Sequence, residues 1–505
     1  MKFNFFKKKA APVTNYEGAT AYTLTPQMEL YSAVVTAGLS DSFYENADNR
    51  VTRIQELMLK NDAEYIAKLA VYARTEMYMR SVPMVLAVEM AKTNSGNAVV
   101  AKAVNGVVKR ADEITELLAY YQMANNRTGT KKLNKLSKQV QKGLSDAFNN
   151  FDEYQFAKYN RDAEVKLRDA MFLVHPKAKN EEQQAIFDKI AKKELAVPYT
   201  WETELSALGQ VGYETPAAKQ AAVKAKWEEL IDSKKVGYMA TMRNLRNILE
   251  AIVSAMHVKK VCDYLADAAA VAKSKQLPFR FLAAYREIKG LNSEYTTLVL
   301  STLEKAIVAS IANMKGFDIS TRVLIACDVS GSMQKPVSKN SKIWLYDIAL
   351  VLGMLMQSKC TRVVTGMFGD SWKVINMPNN GVLANVEEYY KREGEVGYAT
   401  NGYKVIDDLI NRNVVMDKVM LFTDCQLWDN KHGGASLQKS WARYKAIAPG
   451  AKLYLFDLAG YGNTPLSVER HDVHLIAGWS DKVFDVIEAI ENGENALAKI
   501  SQVVL

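Results

Sequence analysis

The chain has 505 residues, 49% of them hydrophobic, enough for two to four domains with sizeable cores. Its net charge of +9 falls entirely in the first 320 residues, because residues 321–505 carry 20 basic and 20 acidic side chains; this suggests two bodies with different partners. Four scattered cysteines without a CxxC pair argue against a zinc ribbon or disulfide framework, and "MKFNFFKKKAAP" lacks the apolar core of a secretory signal, so a reducing, cytoplasmic setting is expected.

Residues 1–14 read as a flexible tail. Residues 15–318 read as helix after helix. In "AEYIAKLAVYARTEM", Ile66, Leu69, Ala70, Ala73 and Met77 share one helical face. Pro83 opens the next helix, and similar patterns cover 98–123, 131–148, 217–231, 238–254, 258–274 and 295–314. Many helices with short connections predict an α-solenoid of HEAT-like repeats. The longest apolar stretch, "TTLVLSTLEKAIVASIANM", is broken by Glu304 and Lys305, so no membrane span is expected.

Within the helical half, Leu117 to Ser145 contains no acidic residue. In "NRTGTKKLNKLSKQVQKGL", Lys131, Lys135, Lys138 and Lys142 fall on one helical stripe, with Lys132 beside it and Leu133, Leu136, Val140 and Leu144 opposite. The stripe is either a solvated lysine face or a polyanion surface. With no carboxylate interleaved, the repulsion is uncompensated. A phosphate backbone would relieve it by releasing counterions.

After Gly316 the pattern changes. Apolar runs at 322–327, 362–368, 418–423, 452–457 and 473–477 alternate with helical patterns at 341–358, 401–412, 436–447 and 480–491. This predicts a doubly wound parallel sheet in a domain at 319–505. Ligands of such folds sit at the carboxyl ends of the strands. There "ACDVSGSM" supplies Asp328, Ser330 and Ser332, "GYATNGY" supplies Thr400, and "LFTDCQ" supplies Asp424. Two carboxylates and three hydroxyls are hard oxygen donors that suit Mg²⁺ or another divalent cation. A capped strand-to-helix turn is the alternative for the DxSxS stretch alone. No GxSxG, P-loop or motif-placed base histidine appears, so no enzymatic activity is expected.

The DxSxS, Thr400 and Asp424 set resembles the metal-ion-dependent adhesion site of von Willebrand factor A domains, with Tyr398 where a second glycine is frequent. That resemblance implies a cation with one coordination position open to an acidic residue of a protein partner, a nuclease being one candidate.

In the helical half, "RTEMYMRSVPMVLAVE", "QFAKYNRDAEVKLRDAMFLVHPKAKN", "VPYTWETELSALG", "VGYMATMRNLRNIL" and "LPFRFLAAYREI" resemble the TROVE module of the Ro RNA-binding proteins. The resemblance implies a monomeric ring of helical repeats. Its hole would take single-stranded ends of misfolded RNA, and its outer surface would bind small structured non-coding RNAs of the Y type. It further implies a non-catalytic ribonucleoprotein role in RNA quality control or processing, with Lys158, Arg161 and His175 on the outer RNA surface. Arg243 and Arg246 either line the hole or hold helices together, and so do Arg74, Arg80, Arg280 and Arg286. A metal-dependent protein-binding scaffold is the alternative function.

Overall fold

The computed structural model describes residues 12–37, 47–126, 135–160, 162–276, 278–313, 317–337, 341–378, 381–428, 435–468, 470–478, 483–494 and 497–505. They fall into two compact units. One draws on Met1–Ile54, Tyr238–Glu250 and Val258–Lys499, the other on Gln55–Gly237, Ala251–His257 and Ile500–Leu505. Among the described residues, no helix is long and apolar enough to cross a membrane.

Among its described residues the second unit contains helices and no strand. Its helices include Ala63–Thr75, Ser81–Thr93, Ala98–Val107, Asp112–Ala124, Lys138–Phe148, Glu153–Tyr159 and Leu167–Val174. Local chemistry sets their starts. Asp62 accepts from the Tyr65 N–H at 2.8 Å, and Thr215 caps a helix whose first residue is Pro216. Gly143 permits one close crossing: a Cβ there would lie 2.5 Å from the Ala101 carbonyl oxygen and 2.6 Å from Val104 Cβ, so Lys138–Phe148 packs backbone-close on Ala98–Val107.

Charge also holds this unit. Buried Glu113 accepts from Arg74 Nη2 at 2.9 Å, from Arg80 Nε at 3.0 Å, and from the Lys109 and Arg110 N–H groups at 2.8 and 3.1 Å. Arg80 also bonds Asp112 at 3.0 Å. Arg74 and Arg80 therefore serve architecture, the second of the two roles open to them.

The first unit contains two sheets. Strands β1 (Pro12–Thr14) and β2 (Thr20–Thr23) were not foreseen from periodicity. They form an antiparallel hairpin that pairs, through β2, with β8 (Asn463–Thr464). The larger sheet comprises β3 (Arg322–Asp328), β4 (Arg362–Phe368), β5 (Trp372–Val374), β6 (Lys418–Thr423), β7 (Lys452–Asp457) and β9 (Val473–Ala477). Its order is β5-β4-β3-β6-β7-β9, and all pairs are parallel except the edge strand β5. The short β5 adds an antiparallel edge that the all-parallel expectation missed.

Strands buried on both faces read as unbroken apolar runs. Leu324, Phe368, Leu421 and Leu455 pack with Trp441 and Val405 from the covering helices. The chain runs outwards from β3 to β4 and β5, then returns to β6 on the other side of β3. That reversal opens a crevice between the carboxyl ends of β3 and β6.

Helices of this unit also pack beside the sheet. Arg286, on Pro278–Lys289, bonds Asp347 at 2.6 and 2.7 Å and Glu387 at 2.7 Å. Asp347 in turn accepts from the Trp344 N–H at 2.8 Å, at the start of helix Leu345–Lys359. Arg286 is thus an architectural residue too.

Candidate metal centre and basic surface

The crevice at the β3–β6 switch gathers the oxygen donors. Cys327 pairs with Phe422, so Asp328 at the end of β3 lies level with Thr423, and Asp424 follows directly. Asp328, Ser330, Ser332, Thr400 and Asp424 are all buried. Asp328 Oδ1 accepts from the Ser330 N–H at 2.9 Å, and its Oδ2 from the Thr423 hydroxyl at 2.7 Å. The Ser330 and Ser332 hydroxyls lie 3.1 Å apart. Asp424 Oδ1 accepts from the Gln426 N–H at 3.0 Å. Thr400 is tied to the same loop, donating to the Gln426 carbonyl at 3.0 Å and accepting from the Trp428 N–H at 3.0 Å.

Burial and mutual repulsion disfavour charge on the two carboxyls of the crevice. Burial raises the Asp328 carboxyl above its ordinary range, against the lowering effect of Thr423 and Ser330. Burial and the charge of Asp328 raise Asp424, against the Ser332 hydroxyl and the Gln426 N–H. Two carboxylates sharing a dry site disfavour each other's ionisation. Asp424 Oδ2 is buried and has no hydrogen-bond partner among the described residues. A buried carboxylate oxygen of that kind is costly unless something pairs with it.

A divalent cation accepting these hard oxygens would satisfy it, so the residues fit such an ion. Among the described residues no group of three or more His, Cys, Asp or Glu side chains is placed to hold a metal ion. Asp457 is a further buried carboxyl nearby, at the end of β7. Its charge raises Asp424, while Ser32 donates to it at 2.5 Å. Thr423 and Asp457 were not singled out from sequence. Thr423 was visible as the residue before Asp424, but only the register shows that it bonds Asp328.

The basic surface differs from expectation. Lys131, Lys132 and Arg161 lie outside the described residues. The helix described here is Lys138–Phe148; Lys135 precedes it, so of the described stripe lysines Lys138 and Lys142 share this helix. Ser137 ends the non-helical run, and Leu136 is buried without being helical, so apolar spacing overstated the helix. Lys138 and Lys142 are exposed, and neither makes an ion pair among the described residues.

Between them, Gln141 donates to the Val174 carbonyl at 3.1 Å, which brings the end of Leu167–Val174 against this helix. The next residue, His175, caps that end in the left-handed region, at φ +51°, and is exposed. Lys177 and Lys179, exposed in the following loop and not singled out from sequence, extend the same surface: Lys179 Nζ bonds the Asn149 carbonyl at 2.6 Å. Lys158 is exposed, with its ammonium 5.6 Å from the Tyr154 ring centroid.

In the sheet-bearing unit, Arg243, Arg246 and Arg280 line an open cleft of about 660 Å³. Burial and the neighbouring Arg243 charge lower Arg280. Arg246 is instead paired with Glu250 and Glu287, at 2.8 and 3.1 Å.

Comparison with known proteins adds the remaining observations. The family described as "TROVE domain" matches residues 37–195 and 191–325. Over 103 residues the chain is 40% identical to a protein of Mus musculus named "Telomerase protein component 1", and 39% identical to the Rattus norvegicus protein of that name. Those segments are 20% of this chain, and the chain spans 4% of the length of these relatives. The crystal structure of the Deinococcus radiodurans RO (RSR) protein superposes with a TM-score of 0.59, covering 93% of this chain and 100% of that one at 17% identity.

Proposed function

We propose, for a chain that belongs to the TROVE domain family, that it is the RNA-binding protein of a ribonucleoprotein and performs no chemistry of its own. The family match over residues 37–195 and 191–325 carries this reading. The exposed cations of the helical unit support it. Lys138 and Lys142 stand on one helix, the segment ending at His175 is tied to that helix, and Lys177 and Lys179 follow. Lysines pair with phosphates as mobile point charges, and histidine can stack or donate.

On this reading the outer surface takes a small structured non-coding RNA of the Y type, and single-stranded ends of misfolded RNA enter the hole of a monomeric ring, in RNA quality control or processing. The four cysteines, all buried and unbridged, are consistent with a cytoplasmic setting. Lys131, Lys132, Lys135, Lys158 and Arg161 belong to the proposed RNA surface with Lys138, Lys142 and His175.

The sheet-bearing unit is read as a von Willebrand A-like domain that holds Mg²⁺ through Ser330, Ser332 and Thr400. Asp328 and Asp424 act directly or through waters. Such an ion would supply a Lewis-acidic docking point for a carboxylate, which the chain's own residues would orient. The unpartnered Asp424 Oδ2 favours a second activity here, the metal-dependent docking of an acidic protein partner.

Crosslinking the full chain to RNA in its native cell, followed by sequencing, tests the main reading. Recovery of small structured RNAs and of RNA 3′ ends is expected. A chain that yields no crosslinked RNA, and whose 260/280 nm absorbance ratio when purified is that of protein alone, refutes it.

A further inference from the structure

The helix Leu167–Val174 turns an aromatic ring outwards. Its buried side chains are Leu167, Ala170, Met171 and Val174. Arg168 and Phe172 stand one turn apart on its exposed face, and exposed His175 follows three residues later, so the three fall at i, i+4 and i+7. Phe172 is 49% exposed. A single apolar residue on a surface is ordinary, so exposure alone assigns it nothing.

The group held over the ring is what distinguishes Phe172. The Arg168 guanidinium carbon lies 5.2 Å from the ring centroid. Arg168 Nε donates to the Ala191 carbonyl at 2.7 Å, in the last turn of the helix Glu181–Lys192, where the carbonyls carry partial negative charge. A neutral backbone group therefore fixes the guanidinium plane, and its charge has no carboxylate partner among the described residues.

The surroundings are positive as well. Gln141 ties the end of this segment to the helix of exposed Lys138 and Lys142, and exposed Lys177 follows His175. The acid of the segment's own helix, Asp169, stands in its first turn, where the helix dipole favours it. A guanidinium plane, a phenyl ring and an imidazole in one series are the flat groups on which unpaired RNA bases stack, and lysines beside them suit the phosphates between those bases.

We propose that Arg168, Phe172 and His175 form a stacking platform for unpaired RNA bases on the surface of the helical unit. This rests on the RNA-binding reading given above and names what that surface takes: single-stranded or looped-out nucleotides, whose bases are free to leave their own stack. A blunt duplex keeps its bases paired and offers the ring nothing to stack on.

The test uses the full chain and two probes, a short single-stranded oligoadenylate carrying one fluorescent adenine analogue, and a blunt RNA duplex of the same length. Phe172→Leu keeps an apolar side chain and removes the ring. It should weaken oligoadenylate binding by about fivefold or more, the lower end of what one lost stacked base costs. Duplex binding should stay as in the parent, and the fluorescence of the bound analogue, quenched by stacking, should recover. Phe172→Tyr should restore both affinity and quenching. All three proteins should melt alike, since the side chain is exposed. A Leu variant that binds and quenches the oligoadenylate as the parent does overturns the platform and leaves Phe172 as a face for an apolar protein segment. An equal loss on both probes also overturns it, because the ring then only holds the surface in shape. A parent that binds the duplex alone overturns the platform and leaves the RNA-binding reading standing. A parent that binds neither probe refutes that reading and this inference with it.

Discussion

Replacing Asp424 by Asn separates the two effects of the buried carboxylate pair, because it removes one charge and keeps the side-chain shape. Without a cation the change should stabilise the sheet-bearing unit. Asp424 Oδ2 is buried without a partner, and Asp328 raises Asp424 by direct repulsion. The Asn amide is as polar as the carboxyl it replaces but carries no charge for Asp328 to repel, and each pKa unit of that repulsion is worth about 1.4 kcal/mol.

The pH dependence has a definite sign. Both folded carboxyls titrate above their ordinary value of 3.8, so the native state holds more protons than the unfolded chain between that value and the raised ones. Stability of the cation-free parent therefore falls as pH rises through this window, and the whole penalty is present above it. Asp424→Asn should flatten that fall.

With Mg²⁺ the order reverses. A ligand at about 100 times its Kd adds about 2.7 kcal/mol. For a unit of about 300 residues each kcal/mol moves the Tm by about 1.5 °C, so the parent should gain about 4 °C and the variant close to nothing. Calorimetric melts of both proteins at mildly acidic and neutral pH, with Mg²⁺ and with chelator, provide the assay. A variant that melts below the cation-free parent, or that gains as much from Mg²⁺, would refute the reasoning.

Three further outcomes are expected. Changing Lys138 and Lys142 to Ala together should weaken RNA binding across sequences and make the slope of log affinity against log salt shallower by about one to two units, read by filter binding at several salt concentrations; the Tm should barely move, since exposed lysines contribute little to stability. His175→Gly should leave stability unchanged or raise it by about 1 kcal/mol, because the left-handed cap suits glycine, while RNA affinity falls; urea titration and binding read the two separately. Glu113→Gln leaves Arg74 and Arg80 without their shared charge partner and should destabilise the helical unit by about 3–5 kcal/mol in denaturant titration, with an unchanged urea midpoint as the contrary result.

What sequence reading could reach follows from the range of each interaction. The strands of the larger sheet were legible as apolar runs because both their faces are buried, and β3 with β6 carry their donors within a few residues of the strand ends. The six-stranded mixed sheet and the helix-rich remainder match the coarse expectation. Apolar spacing placed residues 135–137 in the helix because 3.6-residue spacing describes which side chains are buried, and Leu136 is buried from a non-helical backbone. The partners of Arg74, Arg80 and Arg286 were beyond reach, since their carboxylates lie about 30 to 100 residues away and ordinary charge composition hides them. The β1–β2 hairpin had no signal at all: its strands have three and four residues, and nothing local tells where its turn rests.

The pairing of β2 with β8 joins Thr23 to Asn463 across about 440 residues. During synthesis at roughly 5–20 residues per second, the hairpin leaves the ribosome about 20 to 90 s before the strand that completes its sheet exists. For that interval its open edge is exposed to any other nascent chain. Local bonds favour the turn, with Asn15 Oδ1 accepting from the Glu17 and Ala19 N–H groups and Gly18 at φ +79°, but a hairpin with strands of three and four residues is marginal until it docks. The donor loop of β6 becomes available about 40 residues before β8, so the bonds of Asn15 to the Leu427 carbonyl and of the Tyr16 N–H to Gln426 can dock the hairpin first and leave the β2–β8 edge to close last.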